Sequence, residues 1–389
     1  MTTSQSRRGL ITIGAAAVAV FVAQLAAIII LGVTEAAGNR SPIGGDPGLY
    51  NVIATAIFNG AVPYIEYPLE HLPGSLVPML AVEGLARFTG ATFESLWPTA
   101  MGLAFVITVG LANLFPTSFD SGRRLLRYSL PLLPLVLYRV EPWLMLWVVA
   151  SMMFAFRRSW PAQVLATAVA SLTKGWPLLL LALPFQLSRK NLAIVSAVVT
   201  FTVLAAIAAT PGFREGREFA GIHSETVVGG LVIAARALRG VDVQLISAAG
   251  AAYVAVPGLA VLLNALIGLP FLVFAGVHMF RTSDPTRIMK IVGIGVLGVI
   301  LASPLFSAQF VFWLVPFVIL IGIRSRLLFL VASVLTLANV IVWDPETVLW
   351  SLLVVTRNAL LIGLGIAWAR EVVASRSPDP SDNPLEHVA

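Results

Sequence analysis

Long apolar runs, separated by short polar breaks, make up most of the chain. The first run extends from about Leu10 to Val33, behind Arg7 and Arg8, and is long enough to cross a bilayer. Runs of similar character recur as far as Trp368. Their lengths and the Lys/Arg bias of the breaks predict an all-α integral membrane protein, a polytopic helical bundle of about 12 segments with both termini in the cytoplasm.

The composition agrees with a membrane protein and narrows its chemistry. Of 389 residues, 58% are hydrophobic and 11% are charged, whereas soluble domains carry roughly 25% charged residues. The net charge of +6 is expected in cytoplasmic loops, and it does not indicate a nucleic-acid partner. The chain has no cysteine and four histidines without metal-site spacing, so we expect no disulfide, no metal and no other cofactor.

The apolar runs leave no room for a sizeable soluble domain. Residues 1–370 are predicted to form one transmembrane domain, and residues 371–389 a disordered cytoplasmic tail. Two longer polar stretches, 41–75 and 211–226, are predicted as loops at the outer face of the cell membrane. The functional groups of these loops are therefore expected to face outward.

The first outer loop is predicted to contain a short amphipathic helix. Asp46 and Pro47 are typical of a helix start, with the aspartate as N-cap and the proline at the first helical position. Apolar residues then recur on one face from Leu49 to Ile57, and Gly60 is a plausible stop. Such a helix is expected to lie flat on the bilayer and to hold Asp46 at the boundary with water. Capping and catalysis by this carboxylate are compatible.

One basic cluster conflicts with the predicted topology. A second apolar run, from about Leu72 to Phe88, is predicted to return inward past Glu83. The same count then places the cluster of Arg123, Arg124 and Arg127 outside, against the positive-inside trend. Either a neighbouring segment is a short re-entrant hairpin, or the cluster lies outside and meets anionic lipid phosphates.

Polar side chains lie at breaks within the apolar runs. Arg139 and Glu141 precede a proline, Lys174 precedes Gly-Trp-Pro, and Gln309 follows a Ser-Pro break. A further arginine, Arg357, lies within the last run. Irregular backbone and ionisable groups at membrane depth are tolerated where they are buried in protein or line a water-filled cavity.

These breaks predict a polar cavity in the outer half of the bundle, on the side of Asp46 and His223. Lys174, Arg139 and Arg357 would lie deeper and could bind phosphate oxygens, because arginine offers a planar fork and lysine a compact charge. A carboxylate nearby could deprotonate a sugar hydroxyl. The cavity therefore suits a lipid-linked phosphate whose hydrocarbon chain lies along the apolar helices.

The order and spacing of these positions resemble those of the GT-C membrane glycosyltransferases, in particular family 87, the polyprenyl-phosphate-mannose-dependent mannosyltransferases of actinobacteria. The resemblance extends over almost the whole chain. It is carried by GGDPGLY with Asp46 and Tyr50, GAVPYIEY with Tyr64 and Glu66, EHLPG with Glu70 and His71, Arg139-Val140-Glu141, Lys174-Gly175-Trp176-Pro177, Ser307-Ala308-Gln309-Phe310, and Arg357-Asn358.

The resemblance implies a GT-C-like fold and a hexosyltransferase that moves a mannosyl unit, with inversion, from a polyprenyl-phosphate donor to a glycolipid or glycan acceptor at the outer face. It implies Asp46 as the general base and membrane lipids as surroundings. The implied substrate contacts are Tyr50, Tyr64, Glu66, Glu70, His71, Arg139, Glu141, Lys174, His223, Gln309 and Arg357.

The chain departs from the family pattern at several positions. Ala308 stands where the family has proline, Phe310 and His71 where it has tyrosine, and Glu141 where it has aspartate. In the second outer loop, the arginine that follows the family's histidine is missing after His223. These departures bear on the donor and the acceptor more than on the fold.

The same residues could have structural roles in place of substrate contacts. Arg139 and Glu141 could form an ion pair that holds a kink, and Arg357 could pair with Asp344 or Glu346. Other candidates could be solvated loop charges or locally bonded side chains. Two other functions use the same features: a transporter or flippase, and a non-catalytic subunit that binds polyprenyl lipids. We find no internal repeat of the kind that many transporters show.

Overall fold

The computed structural model describes residues 3–36, 45–115, 120–186, 189–215, 221–241, 245–248, 251–256, 258–344 and 347–374. Residues 41–44 and 216–220 of the two predicted outer loops lie outside the described residues. The same holds for 375–389 of the predicted tail. Residues 371–374 belong to the last helix and not to a tail.

The described part of the chain is mainly helical. Its α-helices, in chain order, are α1 Thr3–Ala36, α2 Gly45–Phe58, α3 Pro73–Thr89, α4 Phe93–Ala112, α5 Ser121–Ser129, α6 Leu133–Val136, α7 Glu141–Phe156, α8 Trp160–Thr173, α9 Ala182–Gln186, α10 Lys190–Ala208, α11 Pro211–Glu215, α12 Val227–Leu238, α13 Gly258–Met279, α14 Pro285–Ala302, α15 Val315–Val318, α16 Ile323–Ile341 and α17 Val348–Ala374. Three 3-10 segments, Leu130–Leu132, Trp176–Leu181 and Ala308–Leu314, lead directly into α6, α9 and α15.

Seven of these helices are long and apolar enough to cross a membrane. They are α1, α4, α10, α13, α14, α16 and α17. The prediction of a multi-pass helical membrane protein is confirmed to this extent. Burial separates lipid-facing helices from central ones: 11% of the apolar window of α10 is buried inside the protein, against 67% for α14. The side chains of α10 therefore mostly face outward, where lipid would surround them.

A small antiparallel sheet, which the sequence did not predict, lies at one end of the bundle. Its strands are β1 Ile222–His223, β2 Leu245–Ala248 and β3 Ala251–Val254, in the order β1-β3-β2. The register places His223 opposite Tyr253. Thr226 caps α12 by accepting a hydrogen bond from the Gly229 N–H at 3.0 Å, which fixes the turn between β1 and this helix.

Helices α2 and α3 run side by side in the same direction. The Tyr50 and His71 rings are 5.4 Å apart at one end. At the other end the Arg87 guanidinium lies 4.7 Å from the centre of the Phe58 ring. Helix α4 then starts beside the middle of α2, because Asn51 donates a 2.9 Å hydrogen bond to Glu94. Helix α3 thus packs along α2 in the same direction, and the inward crossing of the membrane by 72–88 stays a prediction.

The Arg123, Arg124 and Arg127 cluster lies near other arginines. After α4 crosses the bundle, Phe115 contacts Phe156 at a ring distance of 5.4 Å, just before Arg157. Arg124 donates a 3.3 Å hydrogen bond to the Ile319 carbonyl, close to Arg324 and Arg326. These arginines therefore lie at the end of the bundle opposite the sheet, and the membrane side of that end stays a prediction.

Helices α13 and α14 approach each other closely at Gly268. A methyl group added there would overlap the Gly298 carbonyl oxygen and the backbone nitrogen of Ala302. On the same helix, a methyl group at Gly276 would meet no atom within 4 Å. The close α13–α14 contact therefore requires a glycine at Gly268, whereas Gly276 has room for a side chain.

We predict that Gly268→Ala lowers the thermal unfolding midpoint of the purified protein, because the added methyl forces α13 and α14 apart at a cost of about 1–3 kcal/mol. Gly276→Ala on the same helix is the matched control and should not destabilise the protein. Equal midpoints for the two variants, measured in one detergent, would contradict the close packing.

Candidate active site

A polar cavity opens at the end of the bundle that carries the sheet. Its volume, with the open mouth included, is about 1050 Å³. It is lined by Asp46, Leu49, Tyr50, Glu70, His71, Leu135, Arg139, Glu141, Lys174, His223, Glu225, Tyr253, Leu305, Ser307, Ala308, Gln309, Phe310, Val340 and Trp343. The lining residues come from distant parts of the sequence.

The structure brings nine of the twelve predicted site residues to this cavity. They are Asp46, Tyr50, Glu70, His71, Arg139, Glu141, Lys174, His223 and Gln309. Tyr64, Glu66 and Arg357 are not among the lining residues. The nine reach the cavity from the start of α2, the segment before α3, the break before α7, the end of α8, strand β1 and the break before α15.

Asp46 is held by two partners. Its Oδ2 atom forms an ion pair with the Arg139 guanidinium and accepts a 3.0 Å hydrogen bond from the Tyr50 hydroxyl. Helix α2 begins at Gly45, so Asp46 lies in the first turn and not in front of it. The predicted N-cap position is therefore off by one or two residues, and the carboxylate points to the cavity partners.

Tyr50 donates a hydrogen bond to Asp46 from a fixed position. The side chain is buried and its ring contacts Trp97 at 4.8 Å. Burial raises the pKa of the Tyr50 hydroxyl well above its ordinary value, and the charges of Glu141 and Glu70 raise it further. The hydroxyl therefore stays protonated at neutral pH and continues to donate.

Arg139 connects the first loop to the break before α7. Its ion pair is with Asp46, not the kink-holding pair with Glu141 that we considered from the sequence. Burial lowers the pKa of Arg139 to about 10, against the opposing charges of Glu141 and Glu225. The guanidinium is thus still charged at neutral pH and orients Asp46.

Glu141 is the first residue of α7 and is almost fully buried, with 1% of its surface exposed. Its Oε1 atom has no hydrogen-bond partner among the described residues. A buried polar atom without a partner is costly, and such atoms in native proteins call for an explanation. This carboxyl group has no structural bond that accounts for its place in the cavity wall.

His223 presents one defined nitrogen to its surroundings. Its Nδ1 atom accepts a 3.2 Å hydrogen bond from the Glu225 backbone N–H. Burial lowers the pKa of His223, despite the opposing charge of Glu225, so the ring is neutral at neutral pH. A neutral imidazole with Nδ1 as acceptor carries its proton on Nε2 and is a hydrogen-bond donor there.

Gln309 and Lys174 lie across two helix breaks. The Gln309 Oε1 atom accepts a 2.6 Å hydrogen bond from the Ser307 hydroxyl, which leaves the amide NH₂ as the donor side of the group. Lys174 follows the last residue of α8 in an extended conformation. Its Nζ atom lies 6.0 Å from the centre of the Phe310 ring. Both side chains offer N–H groups to the cavity.

Tyr64 and Glu66 belong to the segment that supports the site from outside. Tyr64 has a positive φ of 68° and donates a 2.6 Å hydrogen bond to the His71 carbonyl, while its own carbonyl accepts one from Gly212. Glu66 accepts a 2.9 Å hydrogen bond from the Val62 N–H and is exposed. In this structure Tyr64 joins the first outer loop to α11, and Glu66 closes its own turn.

Arg357 is buried behind the cavity wall. It bonds Glu225 twice at 2.7 Å, through the carboxylate and the backbone carbonyl, and Asn358 completes the contact. The predicted pairing with Asp344 is wrong, and Glu346 lies outside the described residues. Because the guanidinium is fully buried and bonded to these partners, it stabilises the cavity wall and is not placed to bind a phosphate in the cavity.

Three lining residues were missed by reasoning from the sequence. Glu225 stands two residues after His223, and its only signal was a carboxylate close to a candidate histidine. Tyr253 lies in an apolar run and reaches the cavity through the sheet; burial and the charge of Glu70 raise its pKa to about 12. Trp343 follows α16 and resembled an ordinary interfacial anchor.

A metal centre has no support in the described part of the chain. There, no group of three or more His, Asp or Glu side chains is arranged to hold a metal ion.

Comparisons with known proteins give no relative: no family model matches the chain, and neither a curated protein nor a solved structure matches it. The resemblance to the mannosyltransferases therefore rests on the sequence segments alone.

We predict that Arg357→Met destabilises the protein strongly, because Glu225 is left as a buried charge without its guanidinium, at a cost of about 3–5 kcal/mol. The measurement is the thermal unfolding midpoint. Arg370→Met, at the exposed end of the same helix, is the control and should change it little. Adding Glu225→Leu to Arg357→Met should recover part of the loss. A midpoint near that of the control would show that the pair does not stabilise the fold.

Proposed function

We propose that this protein is a membrane glycosyltransferase of GT-C type, which moves a sugar from a polyprenyl-phosphate donor to a glycolipid or glycan acceptor. The observation that carries the proposal is the cavity itself. It combines an oriented carboxylate, Asp46, with Arg139, Lys174 and other N–H donors at one end of a membrane bundle. Mannose is the sugar that the sequence resemblance implies.

We further propose that the chain crosses the membrane twelve times. The seven long apolar helices would supply seven crossings. The other five would be shorter or broken: 121–136, α7, α8, 176–186 and 308–318. With α2 and α3 at one end, this order puts both chain ends with the arginine-rich end of the bundle. The positive-inside rule then assigns that end to the cytoplasm and the cavity to the outer face.

In the proposed reaction, a hydroxyl oxygen of the acceptor attacks the anomeric carbon of the donor sugar. The bond from this carbon to the phosphate oxygen breaks, and the phosphate leaves with the bonding electrons. Asp46 takes the proton of the hydroxyl. Attack opposite to the leaving group inverts the anomeric configuration.

The N–H donors of the cavity would stabilise the departing phosphate. Lys174 supplies an ammonium group, Gln309 an amide NH₂, and His223 an Nε2–H. Donors aimed at developing charge, in a site that excludes water, make the largest electrostatic contribution to catalysis. Arg139 holds Asp46 in place, and Tyr50 keeps a second bond to it.

We predict that Asp46→Asn lowers turnover by about 10²–10⁴-fold, because an amide cannot take the proton of the acceptor hydroxyl. Turnover is measured as sugar transfer by the purified protein in nanodiscs, with polyprenyl-phosphate-mannose and a membrane glycolipid extract. Asp120→Asn, an exposed aspartate before α5 without a side-chain cap bond, is the matched control and should keep full turnover.

Binding of the donor separates the alternatives. An enzyme should retain saturable donor binding in Asp46→Asn while it loses turnover. Equal turnover in wild type and Asp46→Asn would remove Asp46 as the base. Donor binding without turnover in the wild type would favour a lipid-binding subunit. Absence of both would remove the polyprenyl-phosphate donor and favour transport.

A further inference from the structure

The carboxyl group of Glu141 is an unsatisfied acceptor in the cavity wall. It is 1% exposed, and its Oε1 atom has no hydrogen-bond partner among the described residues. A carboxylate accepts hydrogen bonds but donates none, so the missing partner must bring an N–H or O–H group. A ligand that enters the cavity is the available source of such a group.

The lining of the cavity is richer in acids than in bases. Four carboxyl groups line it, from Asp46, Glu70, Glu141 and Glu225, whereas the basic side chains are Arg139 and Lys174. Arg139 pairs with Asp46, and Arg357, behind the cavity wall, pairs with Glu225. A second negative group placed next to Glu141 would therefore meet like charge in a poorly solvated site, which disfavours binding.

Aromatic rings complete the surroundings of this carboxyl group. Tyr50, Tyr253, Phe310 and Trp343 line the same cavity. Aromatic faces bury the apolar C–H face of a flat ligand, and a few placed polar groups then fix its orientation. An uncharged sugar has both features, because it carries hydroxyl groups that donate hydrogen bonds and a ring face of C–H groups.

We infer that Glu141 binds a hydroxyl group of the acceptor sugar and selects uncharged sugars over sugar acids. The inference deepens the proposed function, on which it rests for the role of the sugar as acceptor. Glu141 is a specificity-determining residue here: its carboxylate takes a hydroxyl O–H as donor and repels a carboxylate at the same place. It is not assigned any proton transfer.

The test compares two ligands that differ only at one carbon. Methyl α-D-mannopyranoside and its uronic acid counterpart are titrated against the full-length protein in nanodiscs, with binding followed by saturation-transfer NMR. In the wild type we expect the uncharged glycoside to bind at least about tenfold more tightly. In Glu141→Gln, which keeps an oxygen acceptor and removes the charge, the preference should fall below about threefold.

Further variants keep the test independent of folding. Glu141→Leu removes the acceptor and should weaken binding of the uncharged glycoside about tenfold. Glu215→Gln, an exposed glutamate outside the cavity lining, should behave as the wild type. Each variant is used only if its thermal unfolding midpoint shows a folded protein. Where turnover is found, the Glu141 variants should have a higher KM for the acceptor and a nearly unchanged KM for the donor.

Several results would overturn the inference. These are equal binding of the two glycosides to the wild type, an unchanged preference in Glu141→Gln, or no binding of the uncharged glycoside at all. A preference that depends on Glu141, in a protein without transferase turnover, would support the sugar site while the proposed function fails. Turnover without such a preference would uphold the proposed function and reject this role of Glu141.

Discussion

The ion pair between Asp46 and Arg139 joins two parts of the bundle that are distant in sequence. Asp46 opens the short helix α2, and Arg139 stands in the break before α7. Charged groups at membrane depth need partners, and here the partner of each charge is the other. The pair brings the first turns of α2 and α7 together, so that Tyr50 and Glu141 line the same cavity. The proposed chemistry depends on the pair because it orients the carboxylate.

A second buried pair supports the opposite wall. Arg357 in α17 bonds the carboxylate and the carbonyl of Glu225, and Thr226 then caps α12. The sheet register adds His223 and Tyr253 to the same wall. The two arginines thus have different surroundings: Arg139 lines the cavity, and Arg357 is enclosed behind its wall. The buried pair holds the segment between β1 and α12 against α17.

Glu141 differs from both pairs because none of the residues that the structure describes bonds its Oε1 atom. A cavity whose wall carries such an unsatisfied acceptor is suited to a ligand that carries hydroxyl groups. The acid-rich lining and the aromatic rings agree with this preference. The two ends of the bundle are chemically distinct as well: arginines gather at one end, and the mixed polar cavity lies at the other.

The sequence by itself determined the membrane class and the helical architecture, because apolar length is a local signal, and it named nine of the nineteen residues that line the cavity. It could not determine that α3 packs along α2 in the same direction, since a 17-residue apolar helix has the same pattern wherever it packs. The burial of Arg357 and the arrival of Tyr253 through a sheet were decided only by the tertiary structure. Each depends on a partner far away in sequence, and no local pattern encodes which distant group that partner is.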